Sequence, residues 1–490
     1  MMTKPMLIEK LKNILLVVLL LSTILLLYFF WGNLSFEKLG MQEPQIEQEV
    51  PSVREVLRPY RMIINFGSEN YTVVTTEKPY LWDGAENIGF IYELKKFSQT
   101  ENLLVEEITY SQYQEIMNYK SSIRAEFQYN IPFADFCSEY EIKKNQSYNA
   151  IETLTTVGYS EGSPESIFLY DGKNSKYYRI VADSDQTTFT ALISTVEQEG
   201  YLNYYPISVY LGIENHTLVL PELQANLKSF SYQQEAYAHQ VDKINEMAES
   251  FFGENFDFVR KIKEDNGTII YMYGYGQNVL IVNNDGSFVY KEDEPDRVSS
   301  QQSYFDSLKT ALQYVASHGS WGSLDGAVMK PYLKNIRINP EGKKGYRFIF
   351  GMEINGTRLY YEQGEIITVD VIQGQVTYYN RNMIHFDQEE VNTLQAASFE
   401  DTATAGNTIA QNYQYIYGIL INTKNITEPV DQSRIFEEVA GLITNIQTGY
   451  VKTLNSSQDF EVSPAWIVSI NRINIYFDLY SAEPLGYSEE

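Results

Sequence analysis

The hydrophobic positions change rhythm sharply along this chain, and the first change is the strongest. Ile14 to Trp31 reads ILLVVLLLSTILLLYFFW, an uncharged run of eighteen residues. At 1.5 Å per residue a helix of that length reaches roughly 27 Å, close to the hydrocarbon core of a bilayer. The run predicts one transmembrane helix at 14–31, after a tail at 1–13. From 32 to 59 apolar positions thin out among Pro44, Pro51, Pro59, Gln and Glu, which predicts a solvated stalk. Beyond it the period alternates between 2 and 3.6. RMIINFG and YTVVTTE, then SIFLYD and KYYRIVAD around Asp171-Gly172, read as β-hairpins, with the polar, helix-compatible Ser111–Ser122 between them. An α+β domain at 60–221 accounts for this part.

After Pro221 one supersecondary unit recurs three times, at 222–300, 301–390 and 391–490. Each begins with a helical stripe: Tyr237, Val241, Ile244, Ala248 and Phe251; then Tyr304, Phe305, Leu308, Ala311, Leu312 and Val315; then Ile435, Phe436, Val439, Leu442, Ile443 and Ile446. Strand-like runs follow each stripe. In the first unit they are FDFVRKIK, TIIYMYGYG, VLIVNN and SFVYKE. In the second they turn at Asn355-Gly356 and Gln373-Gly374, and in the third at Asn471-Arg472. A helix laid on one face of an antiparallel meander buries both apolar surfaces, so the fold class expected is α+β, with one N-terminal transmembrane helix and a multi-domain extracellular body.

Charge sets the orientation. Lys4, Lys10 and Lys12 precede the apolar run with only Glu9 opposing them, while Glu37, Glu43, Glu47 and Glu49 follow it. The positive-inside rule then puts the N-terminus in the cytoplasm and the body outside. A cleaved signal peptide is the alternative, but the run exceeds the usual apolar core of one and ends in YFFWGN with no small-residue cleavage site. Tyr28 and Trp31 are placed to anchor an uncleaved helix at the membrane interface. Ser22 and Thr23 are the small polar residues within it, the type that mediates helix association in lipid, and mark a possible contact with a membrane partner.

Across the whole chain 64 Asp and Glu face 37 Lys and Arg, a formal charge of −27 that argues against nucleic acid as a partner. A single cysteine, Cys137, excludes an internal disulfide and a thiolate cluster. An exported body with one cysteine fits a Gram-positive envelope. Catalytic signatures are lacking. Cys137 sits between Asp135 and Glu139, which would raise its thiol pKa, and reads as a small buried hydrophobe. Of the histidines, His216 lies in a polar turn, His239 on the exposed part of a helix, and His385 in no loop signature. His318, before Gly319, reads as a helix C-terminus. Asn283–Gly286 is a hairpin turn rather than a calcium loop. The 40 tyrosines, clustered at Tyr271, Tyr273 and Tyr275 and at Tyr360 and Tyr361, suit half-buried sheet faces and interfaces. No residue is assigned to a catalytic, cofactor or metal site, and no cofactor is expected.

The stretch GYRFIFGMEINGTRLYYEQGEIITVDVIQGQVTYYNRN, with Gly364, Ile367, Val369, Val371, Gly374, Val376 and Tyr379 in a G-x-x-[IV]-x-V-x-[IV]-x-x-G-x-V-x-x-Y rhythm, resembles PepSY-type modules and the YycH/YycI family. The end, Pro464-Ala465-Trp466-Ile467-Val468 and Ile475-Tyr476-Phe477-Asp478, is similar to the closing hairpin of such domains. The likeness covers about residues 237–487 at domain level, and the anchor by topology. It implies a non-enzymatic regulator that accompanies the essential cell-wall sensor histidine kinase of Gram-positive bacteria. The kinase and a companion regulator are the implied partners, the anchor helix packing against the kinase's own, and a homo- or hetero-oligomer is compatible. An envelope hydrolase or glycosidase and a passive wall-binding module are the alternatives from other classes.

Overall fold

The computed structural model describes Ser22 and residues 50–489, apart from 76–77, 85–87, 101, 183–186, 233–240, 295–301, 322–328, 385–399, 427–429 and 453–460. Val50–Glu490 forms one unit and Met1–Glu49 another. The apolar run read as a membrane anchor therefore lies outside the described residues, except for Ser22, which is helical. Among the described residues no helix is long and apolar enough to cross a membrane.

The body is α+β. Its first layer is a seven-stranded antiparallel sheet of β1 (Arg61–Asn65), β2 (Tyr71–Val74), β3 (Leu103–Ile108), β4 (Ser122–Pro132), β5 (Thr153–Ser160), β6 (Ser166–Asp171) and β7 (Lys176–Ala182), in the order β2-β1-β4-β5-β6-β7-β3. Both hairpins expected from the sequence, β1–β2 and β6–β7, are present. The helix predicted near Ser111 spans Tyr110–Tyr119, where Thr109 and Gln112 close a capping box. Residues 50–59, at the end of the stretch read as stalk, are folded. Ser52 caps the short Val53–Val56 helix, and Val53, Val56 and Leu57 are buried in the main core.

Four two-residue strands follow: β8 (Tyr205–Pro206), β9 (Leu218–Val219), β10 (Gln224–Ala225) and β11 (Phe230–Ser231). The segment then enters a single sheet that runs through all three helix-plus-meander units. The first unit contributes β12 (Arg260–Lys263), β13 (Ile269–Tyr273), β14 (Asn278–Val282) and β15 (Phe288–Glu292). The second adds β16 (Met329–Ile338), β17 (Gly345–Ile354), β18 (Thr357–Tyr361), β19 (Ile367–Ile372) and β20 (Gln375–Arg381). After the short β21 (Glu400–Asp401), the third adds β22 (Asn445–Lys452), β23 (Glu461–Ile470), β24 (Ile473–Asp478) and β25 (Pro484–Glu489). The antiparallel pair β15–β20 joins the first two units, and the parallel pair β18–β22 joins the last two.

Helices cover one face, as the stripes require. The Tyr304–Ser317 helix, capped by Ser303, buries Tyr304, Phe305, Leu308, Ala311, Leu312 and Val315, the predicted stripe. The Val241–Phe252 helix buries Ile244 and Ala248. The third unit departs from its pattern. Its Ile435 helix stops at Leu442, Ile443 turns extended (φ −64°, ψ 127°), and Ile446 lies on β22. The larger helix of that unit is Ala405–Asn422, capped by Thr404, which the sequence reading did not identify. In the first unit, FDFVRKIK forms a strand only over Arg260–Lys263, because Gly253–Phe258 is a 3-10 turn.

A charged joint and cleft as the candidate functional site

The richest convergence of polar chemistry lies where the seven-stranded layer meets the second and third units, and a two-residue turn starts it. Asn355 and Gly356 both have positive φ (51° and 82°), the backbone that a tight hairpin needs. That turn sets Ile354 opposite Thr357 and Glu353 opposite Arg358. Both charged side chains point inward: Glu353 is 3% exposed and Arg358 8%. The Arg358 guanidinium is sandwiched between the Tyr60 and Tyr332 rings at 4.5 and 4.6 Å, and its Nη2 donates to the Tyr60 carbonyl at 3.1 Å. Its Nε lies 3.7 Å from Glu353 Oε1 and has no hydrogen-bond partner among the described residues. On the other side of the carboxylate, Arg58 Nη2 donates to Glu353 Oε2 at 3.1 Å, while Arg58 Nε also lacks a partner. Burial works against the Arg358 cation, but Tyr332, Tyr360, Glu353 and Tyr60 outweigh it and hold its pKa above the ordinary arginine value.

A second network continues from Tyr60. Its hydroxyl donates to Gln447 Oε1 at 2.8 Å and accepts from Asn445 Nδ2. Arg61 donates to Glu126 at 2.7 Å and to Asn445 Oδ1 at 2.8 Å, and Arg124 donates to the other Glu126 oxygen at 2.9 Å. Residues of β1 and β4 are thereby pinned to β22. Burial alone would raise the Glu126 carboxyl, but Arg61 and Arg124 bring it down to about 2. A carboxylate depressed on folding lends stability above its unfolded value and withdraws it as pH falls towards the folded one. The body is therefore expected to lose about 2–3 kcal/mol through this group between pH ~4.5 and ~2. Glu126→Gln should flatten that acid limb in thermal unfolding, and a variant retaining the full limb would contradict the assignment.

Beside the joint a cleft of about 610 Å³ opens. Leu202, Tyr204, Leu220, Leu223, Ile446 and Trp466 form its apolar wall, and Arg58, Lys330, Glu353, Thr357, Arg358, Gln447 and Thr448 its polar one. A smaller cavity of about 30 Å³ adjoins Arg58, Arg358 and Glu353, roomy enough for a water or two.

The residues singled out from sequence are scattered. Ser22 is helical and exposed, and Thr23, Tyr28, Trp31, His239 and His385 lie outside the described residues. Cys137 is buried, and burial pushes its thiol up to about 12, partly offset by Lys144, which suits a hydrophobe rather than a nucleophile. His318 ends its helix as expected, with its Nδ1 3.0 Å from the Tyr314 carbonyl and its ring stacked on Tyr314 at 4.0 Å. Gly319 follows at φ 138° and Ser320 takes the left-handed conformation at φ 61°. His216 is exposed, but its neighbour Asn215 ties the connecting segment to the third unit by donating to the Ala440 and Ile443 carbonyls, each at 2.8 Å. Among the tyrosines, Tyr275 is fully exposed while Tyr271, Tyr360 and Tyr361 are buried, so these clusters do not form one shared face. Sequence reasoning missed Arg58, Tyr60, Glu353 and Arg358. The available signal was the pair of charges flanking Asn355-Gly356 in an otherwise apolar hairpin.

No family model and no curated protein matches this chain. Among solved structures, the crystal structure of YycH from Bacillus subtilis matches with a TM-score of 0.52 at 12% identity, covering 87% of this chain and 97% of that one. The body thus has a YycH-like fold, in line with the resemblance drawn from its sequence. The C-terminal domain of Bacillus megaterium YpeB aligns over 52% of this chain and 98% of its own, at 11% identity and a TM-score of 0.22, too loosely to bear on the fold.

Proposed function

We propose that this chain is a non-enzymatic, membrane-anchored regulator of a sensor histidine kinase that controls cell-wall metabolism. The observation that carries the reading is the YycH-like fold over most of the chain. The Ile14–Trp31 run supports a single-pass anchor with the N-terminus in the cytoplasm, followed by a body outside whose units fall at 60–221, 222–300, 301–390 and 391–490. Its partners are the kinase and a companion regulator in the same membrane.

A regulator shifts a kinase only if it binds the kinase's two signalling states with different affinity. In this reading the anchor helix carries part of that difference through Ser22 and Thr23, and the body carries the rest. Crosslinking and affinity capture of the full chain from its own membranes should recover a sensor kinase. The Ser22→Leu/Thr23→Leu variant should recover at least several-fold less of it, since such polar contacts in lipid are worth about 1–2 kcal/mol. Capture of wall polymer with no kinase, alike for both versions, would overturn the proposal.

A further inference from the structure

We infer that the cleft beside the joint is a binding site for a short, apolar peptide that presents a free carboxylate. The charge balance points to an anion. Arg58 and Arg358 carry two positive charges against the one of Glu353, and Lys330, exposed at the same cleft, adds a third. In a chain whose formal charge is −27, a cleft with a local positive excess stands apart. The geometry points the same way. Arg58 and Arg358 both line the cleft, and Arg58, at 24% exposed, is the guanidinium that a ligand in it can reach. A carboxylate is the acceptor whose fork matches a guanidinium edge.

The walls select the body of the ligand. Leu202, Tyr204 and Leu223 offer apolar surface, but Thr357 and Thr448 are interleaved with it. A plain acyl chain would desolvate the Thr357 and Thr448 hydroxyls without pairing them, whereas peptide amides can satisfy them. Strand pairing agrees with this choice. Among the described residues β22 pairs with β18 only from Tyr450 onward, so its stretch at Ile446–Thr448 borders the cleft with no paired strand on that side. A cleft of this size is in the range of small-ligand sites.

The inference is independent of the kinase reading, and so is its test. The full chain in lipid nanodiscs is titrated with N-acetylated tetrapeptides ending in Leu or Phe, as the free acid and as the C-terminal amide. The acid is expected to bind saturably, and the amide ten- to a hundredfold more weakly, the range of a charge-assisted hydrogen bond. Arg58→Gln should weaken binding of the acid at least tenfold. Because that residue also supports the fold, Thr448→Trp, which fills the cleft, and Lys330→Gln, at an exposed position, are measured alongside. Both should keep the unfolding temperature, the first losing binding and the second weakening it several-fold. Absence of saturable binding up to about 1 mM, equal binding of acid and amide, or binding indifferent to Thr448→Trp would each overturn the inference.

Discussion

Replacing Glu353 with Ala lowers the stability of the body by about 3–5 kcal/mol. The carboxylate is nearly inaccessible and stands between Arg58, 3.1 Å away, and Arg358, 3.7 Å away. Its removal leaves Arg358 buried between two tyrosine rings with no counter-charge, and an uncompensated buried ion is among the most destabilising changes a fold can suffer. Arg58 is a lesser loss, since it is 24% exposed and can turn towards water. Glu353→Ala/Arg358→Met, which removes both buried charges, should recover much of the loss, because a buried pair contributes little net stability against apolar residues of similar size. Denaturant unfolding followed by circular dichroism reads both. A single variant within about 1 kcal/mol of the parent would mean that the pair is hydrated and the joint is not closed.

The second large effect is expected at Trp466→Ala, again about 3–5 kcal/mol. Trp466 is 1% exposed, sits in the core of the third unit with Ile446, Val468 and Phe477, and its Nε1 donates to the Ala403 carbonyl at 2.8 Å. Truncation leaves a large cavity and also frees the segment that leads into the Ala405–Asn422 helix. Hydrogen exchange should therefore rise first at the start of that helix. Trp466→Phe keeps most of the apolar volume and should cost about 1–2 kcal/mol, chiefly through the lost indole hydrogen bond. Equal losses for the two variants would show that the hydrogen bond, not packing, dominates.

The elements that sequence made legible share one property: their signals are local. Asn355-Gly356 fixes a hairpin because the backbone must pass through positive φ within two residues, and the Tyr304–Val315 stripe fixes a helix because its neighbours are one turn apart. The Ala405–Asn422 helix escaped for the opposite reason. Its buried face includes Gly406, Thr408 and Asn412, so the apolar period is broken, and Asn412 is accommodated only because its side chain donates to the Thr408 and Ala482 carbonyls. Ile446 continues the helical spacing of Leu442 and Ile443, but Ile443 is already extended and β22 begins at Asn445. The joint was the least legible. Tyr60 meets Gln447 and Arg58 meets Glu353 across about three hundred residues or more, a proximity set by sheet topology that no window of sequence carries. Only the Glu353–Arg358 partnership was readable, from a turn whose register puts them face to face.

The joint and the anchor divide the work in this account. The body is one folded unit, and residues before and within the N-terminal layer, Arg58 and Thr75, line the cleft together with Arg358 and Thr448 of the helix-plus-meander units. That arrangement provides a route from a ligand in the cleft to a membrane partner only if the proposed anchor delivers it. The most direct test reconstitutes the candidate sensor kinase in proteoliposomes and measures its autophosphorylation with the full chain, or with residues 50–490 lacking the anchor. The account predicts that the full chain changes the rate several-fold and that the body alone at matched surface density does not. A full chain without effect would contradict the regulator, and a body as effective as the full chain would contradict coupling through the helix.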